Sequence, residues 1–346
     1  MQTLSTYTPT RTNKLILPDG YKSSTNLQQT QKAIKLIKDT FQTKLATALN
    51  LQRVSAPLFV EKNSGLNDDL NGTERPVTFD VKQTGTEAVI VHSLAKWKRM
   101  ALAQYGFEPG TGLYTDMNAI RRDEETDNLH SIYVDQWDWE LIISRQQRTV
   151  EFLQQTVCKI VTVLTDTLAE LKKAYPQIKT KINPQVYFIT SQELEDKYPS
   201  LTPKQRERAI TQEYGTVFVS QIGGTLKSGI AHDGRAPDYD DWQLNGDLLV
   251  YNEVLQDAFE ISSMGIRVDA ASLQTQLEQA HCSERLKYTY HQMIAENKLP
   301  LTIGGGIGQS RLCMLMLGKA HIGEVQSSLW PESMRETCAA HGINLL

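Results

Sequence analysis

Residues 301–317 read LTIGGGIGQSRLCMLML. Three glycines in a row, then an isoleucine and a fourth glycine, run into an arginine and an apolar segment. Gly304, Gly306 and Gly308 take every second position, so a strand here has one face stripped of side chains. A flat or bulky group can approach the backbone on such a face. The apolar run predicts a helix from Gln309, with Arg311 on its first turn. The planar guanidinium of Arg311 can reach over the bare face toward phosphate or a purine ring. The common glycine loops do not match: GxGxxG needs a glycine where Gln309 stands, and no Gly-Lys-Ser/Thr follows at the P-loop distance. A glycine strand packed tightly against its helix, with Arg311 in an ordinary surface pair, explains this stretch alone equally well.

Two further stretches carry the same kind of chemistry. In IRRDEETDNLHSIYVDQWDWE (residues 120–140), Arg121 closes a β-like run and leads into an acidic, turn-rich loop. In the returning strand Asp135, Trp137 and Trp139 share one face, and Gln136, Asp138 and Glu140 share the other. Burying three polar groups on one face is costly unless each finds a partner; a solvated sheet face is the alternative. In NGDLLVYNEVLQDAFEISSMGIRVD (245–269), Asp247 opens one strand, and Glu260 lies in the next with Ser263 and Arg267. The two acids can oppose one another across a hairpin. That suits Mg²⁺, which takes one or two carboxylates and fills its other positions with phosphate oxygens and water. Unrelated surface acids explain the segment if it stands alone.

The remaining chain supplies the scaffold. Ile34, Ile37, Phe41, Leu45 and Leu49 recur at spacings of three and four, predicting a helix from Leu27. LQRVSAPLFV (51–60) is β-like, and Pro57 confines it to a sheet edge or an interface. AVIVHSLAKWKR (88–99) reads as a buried strand turning into a helix at Ser93. Further helices are expected over 147–173, 204–214 and from Ala271. Strands recur as hairpin neighbours without regular βαβ alternation, which predicts an α+β fold with a mainly antiparallel sheet flanked by helices. Residues 1–25 are expected to form a polar N-terminal arm, and 26–346 a single domain that would carry any catalytic site.

Composition narrows the partners. The net charge of −4 supplies no basic field, which argues against nucleic acid. The four cysteines form no CxxC pair and read as reduced thiols. Neither an apolar leader nor a membrane-length run is present, so the expected setting is cytoplasmic, away from any membrane.

Taken in order, these stretches resemble the signature motifs of class II aminoacyl-tRNA synthetases. The long helix with the Pro57 strand is similar to the first, dimer-forming motif. Arg121 with its loop and returning strand is similar to the second, and GGGIGQSRLCMLML to the third. Ser310 departs from that class, where an acid usually precedes the motif-three arginine. The resemblance is closer to ammonia-dependent asparagine synthetase (aspartate–ammonia ligase, the A type). It rests on VHSLAKWKR, GLYT, HSIYVDQWDWE, RAPDYDDW, DAFEISSMGIRVD and TIGGGIGQSRL, and runs from about Asn26 to Glu336. The polar N-terminal extension and a short connection between Trp242 and Leu244 depart from it.

The resemblance implies a class II synthetase-like core and an enzyme. Its reaction joins L-aspartate and ammonia with ATP, through a β-aspartyl-AMP, giving L-asparagine, AMP and pyrophosphate. Arg121 then clamps the α-phosphate and the reacting carboxylate, and Arg311 contacts adenine or the γ-phosphate. Asp240, Arg267, Gly306 and Gly308 complete the ATP site, with the glycine strand as a bed for adenine. Asp247 and Glu260 hold Mg²⁺. Asp68, Ser93, Lys98, Gln136, Asp138 and Ser263 surround aspartate and ammonia, with Asp68 in a flexible loop, GLNDDLNG (65–72). Asp238 and Asp241 belong to a solvated acidic loop, and His92 is a packed neighbour. A homodimer is implied. The alternatives are a non-catalytic synthetase-like sensor and an aminoacyl-tRNA synthetase paralogue.

Overall fold

The computed structural model describes residues 9–11, 15–68 and 74–346. Expectations for residues 1–8, 12–14 and 69–73 lie outside these. A short ribbon (β1, Thr10–Arg11; β2, Ile16–Leu17) precedes the long helix α1, Leu27–Leu49. Asn26 caps α1 with its side chain on the Gln29 N–H, and the Gln29 side chain accepts the Asn26 N–H in return. The chain then runs β3 (Leu51–Arg53), β4 (Phe59–Glu61), β5 (Thr78–Val81), β6 (Thr86–Ile90), α2 (Ala95–Gln104), β7 (Gly112–Ile120) and β8 (Tyr133–Ile142). Next come α3 (Val150–Ala174), β9 (Tyr187–Thr190), α4 (Ser191–Lys197), α5 (Pro203–Tyr214) and β10 (Thr216–Ser220). The last part comprises β11 (Asp240–Asn252), β12 (Asp257–Arg267), α6 (Ala270–Gln279), α7 (Thr289–Ala295), β13 (Thr302–Gly308), α8 (Gln309–Met316) and α9 (Glu332–Ala340).

The main sheet has the order β3-β7-β8-β13-β12-β11-β10-β9. Its interior pairs are antiparallel, and only the outermost pairs, β3 with β7 and β9 with β10, are parallel. The α+β reading with a mainly antiparallel sheet holds. One face lies under α1, α3 and α8. Ala33, Ile37, Phe41, Leu45 and Leu49 line the buried side of α1, and Phe41 meets Trp137 at 4.8 Å between ring centroids. Trp137 and Trp139 are fully buried on this face. Strand alternation therefore sends Gln136, Asp138 and Glu140 to the opposite face, where the cleft lies.

Local details differ from expectation. LQRVSAPLFV is not one strand: β3 lies at the edge of the main sheet, and β4 joins a separate sheet of order β4-β6-β5. Pro57 falls between them, where its missing N–H costs no ladder bond. The helix expected at Ser93 starts at Ala95, and the one expected at Gln147 starts at Val150 after a 3-10 turn at Arg145–Gln147. Where described, the N-terminal arm is tied down. Asn128 accepts the Ile16 N–H at 2.7 Å and donates to the Ile16 carbonyl at 2.9 Å.

Candidate active site

Register builds the site. Across the β8–β13 pairing, Glu140 faces Gly304, Asp138 faces Gly306 and Gln136 faces Gly308. On the other side of β13, Gly304 faces Gly265 and Gly306 faces Ser263 of β12. A Cβ at Gly304 would collide with Glu140 Oε2, and one at Gly306 would lie 2.5 Å from Gln136 Oε1. The bare face expected from the sequence is thus partly filled by polar side chains of β8. Gly304 is sealed beneath Glu140 and Arg267, and the cleft reaches the strand at Gly305, Gly306 and Gly308. This corrects the picture of a glycine bed open along its whole length.

Buried cations pair with the two acids of the polar row. Arg267 donates Nε to Glu140 Oε1 at 3.0 Å and Nη2 to Oε2 at 2.8 Å, while its Nη1 meets Asp240 Oδ1. Thr302 donates to Glu140 Oε1 at 2.6 Å. Lys98, one of two lysines that α2 turns inward, donates to the Gly305 carbonyl at 3.0 Å and sits 3.4 Å from Asp138 Oδ1. Burial pushes the Lys98 ammonium down from its ordinary value, and the Asp138 and Glu140 carboxylates only partly offset this. Burial alone would raise the Glu140 carboxyl; Arg267 and Lys98 outweigh it and hold the group below its ordinary value.

Every site residue singled out in the sequence lines one cleft of about 490 Å³. Arg121 stands at the end of β7, its Nη1 3.9 Å from Glu124. At the far wall Arg311 lies 3.5 Å from Glu260. Among the buried cleft atoms without a hydrogen-bond partner among the described residues are Arg121 Nε, Asp138 Oδ2, His92 Nε2 and Arg235 Nε. Buried polar groups are rarely left so, which marks where a polar ligand belongs. Asp68 is buried, and its carbonyl is held at 3.1 Å by His92 Nδ1. His92 itself also lines the cleft, and the rest of the loop, 69–72, lies outside the described residues.

The carboxylate pair needs a correction of register. Asp247 faces Ser263, not Glu260, and Glu260 faces Leu249. A bulge between Leu248 and Leu249 makes Ile261 the extra residue, which returns Glu260 to the face carrying Asp247. Burial raises the Asp247 carboxyl, and the nearby Glu260 charge raises it further against the pull of Arg235. Burial would raise Glu260 too, but Arg311, with Lys204 and Arg235, holds it below its ordinary value. No group of three or more His, Cys, Asp or Glu side chains among the described residues could hold a metal by itself. Two carboxylates on one face, beside a cleft lined by arginines, match a divalent cation completed by phosphate oxygens.

Sequence reasoning missed Arg235. It donates Nη2 to Asp247 Oδ1 at 2.7 Å, and its Nη1 meets Ser263 Oγ. Lys204, from the first turn of α5, also lines the cleft and pairs with Asp233 at 3.1 Å. Neither has a periodic or spacing signal. The loop RAPDYDDW held the opposite surprise. Asp238 and Asp241 are buried, as is Asp240, and each is paired: Asp238 with Lys96, Asp241 with Arg148 and Asp240 with Arg267. The solvated acidic loop is not found, because each acid meets a cation from a distant element.

Comparisons with known proteins fit this geometry. A family model described as aspartate–ammonia ligase matches residues 28–342. The aspartate–ammonia ligase of Ruminiclostridium cellulolyticum is 58% identical over 335 residues, covering 96% of this chain and 100% of that protein. The aspartate–ammonia ligase of Clostridium tetani is 59% identical over 334 residues, covering 96% of this chain and 98% of that protein. Among solved structures, asparaginyl-tRNA synthetase from Pyrococcus horikoshii, complexed with asparaginyl-adenylate, superposes with a TM-score of 0.62 at 17% identity. The match covers 88% of this chain and 70% of that one, a likeness of fold. The class II synthetase-like core expected from the sequence is therefore the fold observed.

Proposed function

The chain belongs to the aspartate–ammonia ligase family, and from that premise we propose how its cleft makes L-asparagine from L-aspartate, ammonia and ATP. A β-carboxylate oxygen of aspartate attacks the α-phosphorus. The bond to pyrophosphate breaks, and β-aspartyl-AMP forms. Neutral ammonia then attacks the β-carbonyl carbon, the C–O bond to AMP breaks, and the nitrogen gives up a proton. Both steps need positioning and charge neutralisation more than covalent help from side chains.

The observation that carries this reading is that Arg121 Nε and Asp138 Oδ2, both buried and both without a hydrogen-bond partner among the described residues, lie in one cleft. A guanidinium donor and a carboxylate acceptor suit the two ends of the chemistry. Arg121 holds the α-phosphate and the reacting carboxylate, while Asp138, with Gln136 and Asp68, serves the incoming ammonia. Lys98 and Ser93 orient aspartate, with Ser263 beside them. Arg311, Gly306 and Gly308 flank the nucleotide, and Asp240 fixes Arg267 beneath it. Asp247 and Glu260 would hold Mg²⁺, which when bound neutralises charge on the phosphates. The same reading makes the enzyme a cytoplasmic homodimer without a nucleic-acid partner. In support of a reducing setting, all four cysteines are unpaired. No helix among the described residues is long and apolar enough to cross a membrane.

The test is product analysis. Incubation with aspartate, ATP, Mg²⁺ and ammonium should yield asparagine, AMP and pyrophosphate in equal amounts. ADP as the stoichiometric nucleotide product would overturn the adenylate route.

A further inference from the structure

Behind the cleft lies an ion cluster that faces no part of it. Asp238 Oδ2 is 2.7 Å from Lys96 Nζ, 2.9 Å from Arg285 Nη1 and 3.0 Å from His291 Nε2. Lys96, Asp238 and His291 are all buried, and none of the three lines the cleft. The partners come from three places: α2, a 3-10 turn at Ser283–Lys287, and α7. Burial alone would raise the Asp238 carboxyl. Lys96, His291 and Arg285 outweigh it and hold the group well below the usual carboxylate range. Buried ion clusters are poor sources of stability, since a hydrophobic cluster of equal volume often does as well. What such a cluster can supply is a specific geometry.

Lys96 reveals which geometry. Besides Asp238, its Nζ donates to the Asn67 carbonyl at 3.3 Å. The Asn67 side chain accepts the His92 N–H at 2.8 Å, and His92 Nδ1 meets the Asp68 carbonyl at 3.1 Å. Asn67 and Asp68 are therefore held from α2 and from the turn before it. On the other side, Asp238 precedes Tyr239, whose carbonyl accepts the Val268 N–H at 2.9 Å, and Asp240, which meets Arg267. Tyr239, Asp240 and Asp68 all line the cleft. One buried ammonium thus joins the backbone before Asp68 to the segment carrying Tyr239 and Asp240.

We infer that Lys96 and Asp238 are positioning residues for the ammonia step, setting the place of Asp68 against the Tyr239–Asp240 wall. This rests on the reading above that Asp68 serves ammonia. Neither residue touches the reacting atoms. Their loss displaces Asp68 and leaves the adenylate-forming half, built on Arg121 and Arg267, in working order.

The test uses the full chain, with Lys96→Met, Asp68→Ala and the double variant, each checked for folding by circular dichroism. Two quantities are read: aspartate-dependent exchange of labelled pyrophosphate into ATP, and the KM for ammonium in asparagine synthesis. In Lys96→Met, exchange should stay within about threefold of the parent, while the ammonium KM rises about tenfold or more. Because Lys96 acts through Asp68, adding Lys96→Met to Asp68→Ala should change the ammonium KM by less than about twofold. Should Lys96→Met not fold, Asp238→Asn keeps the shape of the hub, removes its charge and is read in the same way. Exchange and synthesis falling in proportion, or the two substitutions adding in full, would overturn the inference. A normal ammonium KM in Lys96→Met beside a defective Asp68→Ala overturns the positioning role alone. A normal KM in Asp68→Ala overturns the reading of Asp68, and the inference with it.

Discussion

Asp138 and Gly306 face each other across the β8–β13 pairing, and a Cβ at 306 would lie 2.7 Å from Asp138 Oδ1. The next glycine back points to the other side of the sheet. A Cβ at Gly305 would lie 2.6 Å from Met264 Cβ and 2.8 Å from the Ser263 carbonyl. Adjacent glycines therefore do separate work. Gly305 lets two strands close over the core, and Gly306 leaves room for the cleft carboxylate.

Alanine at each position should separate the two roles. In Gly306→Ala the obstructing atoms are side-chain ends of Gln136 and Asp138, which can swing away but then leave their places in the cleft. Turnover should fall by about a hundredfold, within the range for groups acting on a developing charge, with little change in melting temperature. Gly305→Ala meets Ser263 backbone and Met264 Cβ, and overpacking of this kind should cost about 1–3 kcal/mol of stability. Thermal melts paired with steady-state assays check this; equal effects of both substitutions on kcat would contradict it.

Glu260→Gln tests the carboxylate pair. The substitution keeps shape and removes one charge, so, with Mg²⁺ held by this pair as proposed, phosphate neutralisation should weaken. Turnover should drop by about two orders of magnitude, and half-saturation should need more Mg²⁺. Titration of activity with Mg²⁺ reads both. A near-normal rate with an unchanged Mg²⁺ curve would return Asp247 and Glu260 to the status of ordinary acids.

His321 gives the fold a calculable sensitivity to acid. It is fully buried, and its Nδ1 accepts the Gly323 N–H at 3.0 Å. Burial pushes its pKa from 6.5 down to about 4, with Asp127 opposing weakly. Between those values the unfolded chain holds the extra proton. The contribution is therefore intact above pH 6.5 and lost as pH falls through 4. The full loss is about 3 kcal/mol. Melting temperatures from pH 7 to pH 4 should fall less steeply for His321→Gln than for the parent; parallel slopes would remove His321 from the account.

Assembly follows from what the first strands leave uncovered. β3 forms one edge of the main sheet, Leu58 (50% exposed) and Phe59 (47%) lie open shortly after it in sequence, and Leu27 (62%) lies open at the start of α1. Apolar groups near an open edge favour pairing with a second copy. Light scattering should give twice the 39.0 kDa chain mass at micromolar concentration. A fully active monomer there would contradict this.

What the sequence by itself determined is what depends on a repeat along the chain. The three- and four-residue spacing of Ile37, Phe41, Leu45 and Leu49 specifies α1 and its buried side. The alternation from Asp135 to Glu140 assigns the tryptophans to the core and the polar row to the other face. Glycine at every second position marks a strand face without side chains of its own. The cleft residues were legible as well, because the resemblance carries them at matching motif positions. Tertiary structure alone decided how the strands lie against one another and which charges meet. The β8–β13 register fills the glycine face with Glu140 and Asp138, and the β12 bulge turns Glu260 toward Asp247. Asp238 reads as a surface acid until Lys96 and His291 arrive from elsewhere, and Arg235 shows its role only beside Asp247. The physical reason is range. A helix or strand face follows from neighbours a few residues apart, whereas a buried ion pair such as Lys98 with Asp138 exists only once separate elements dock and water has left.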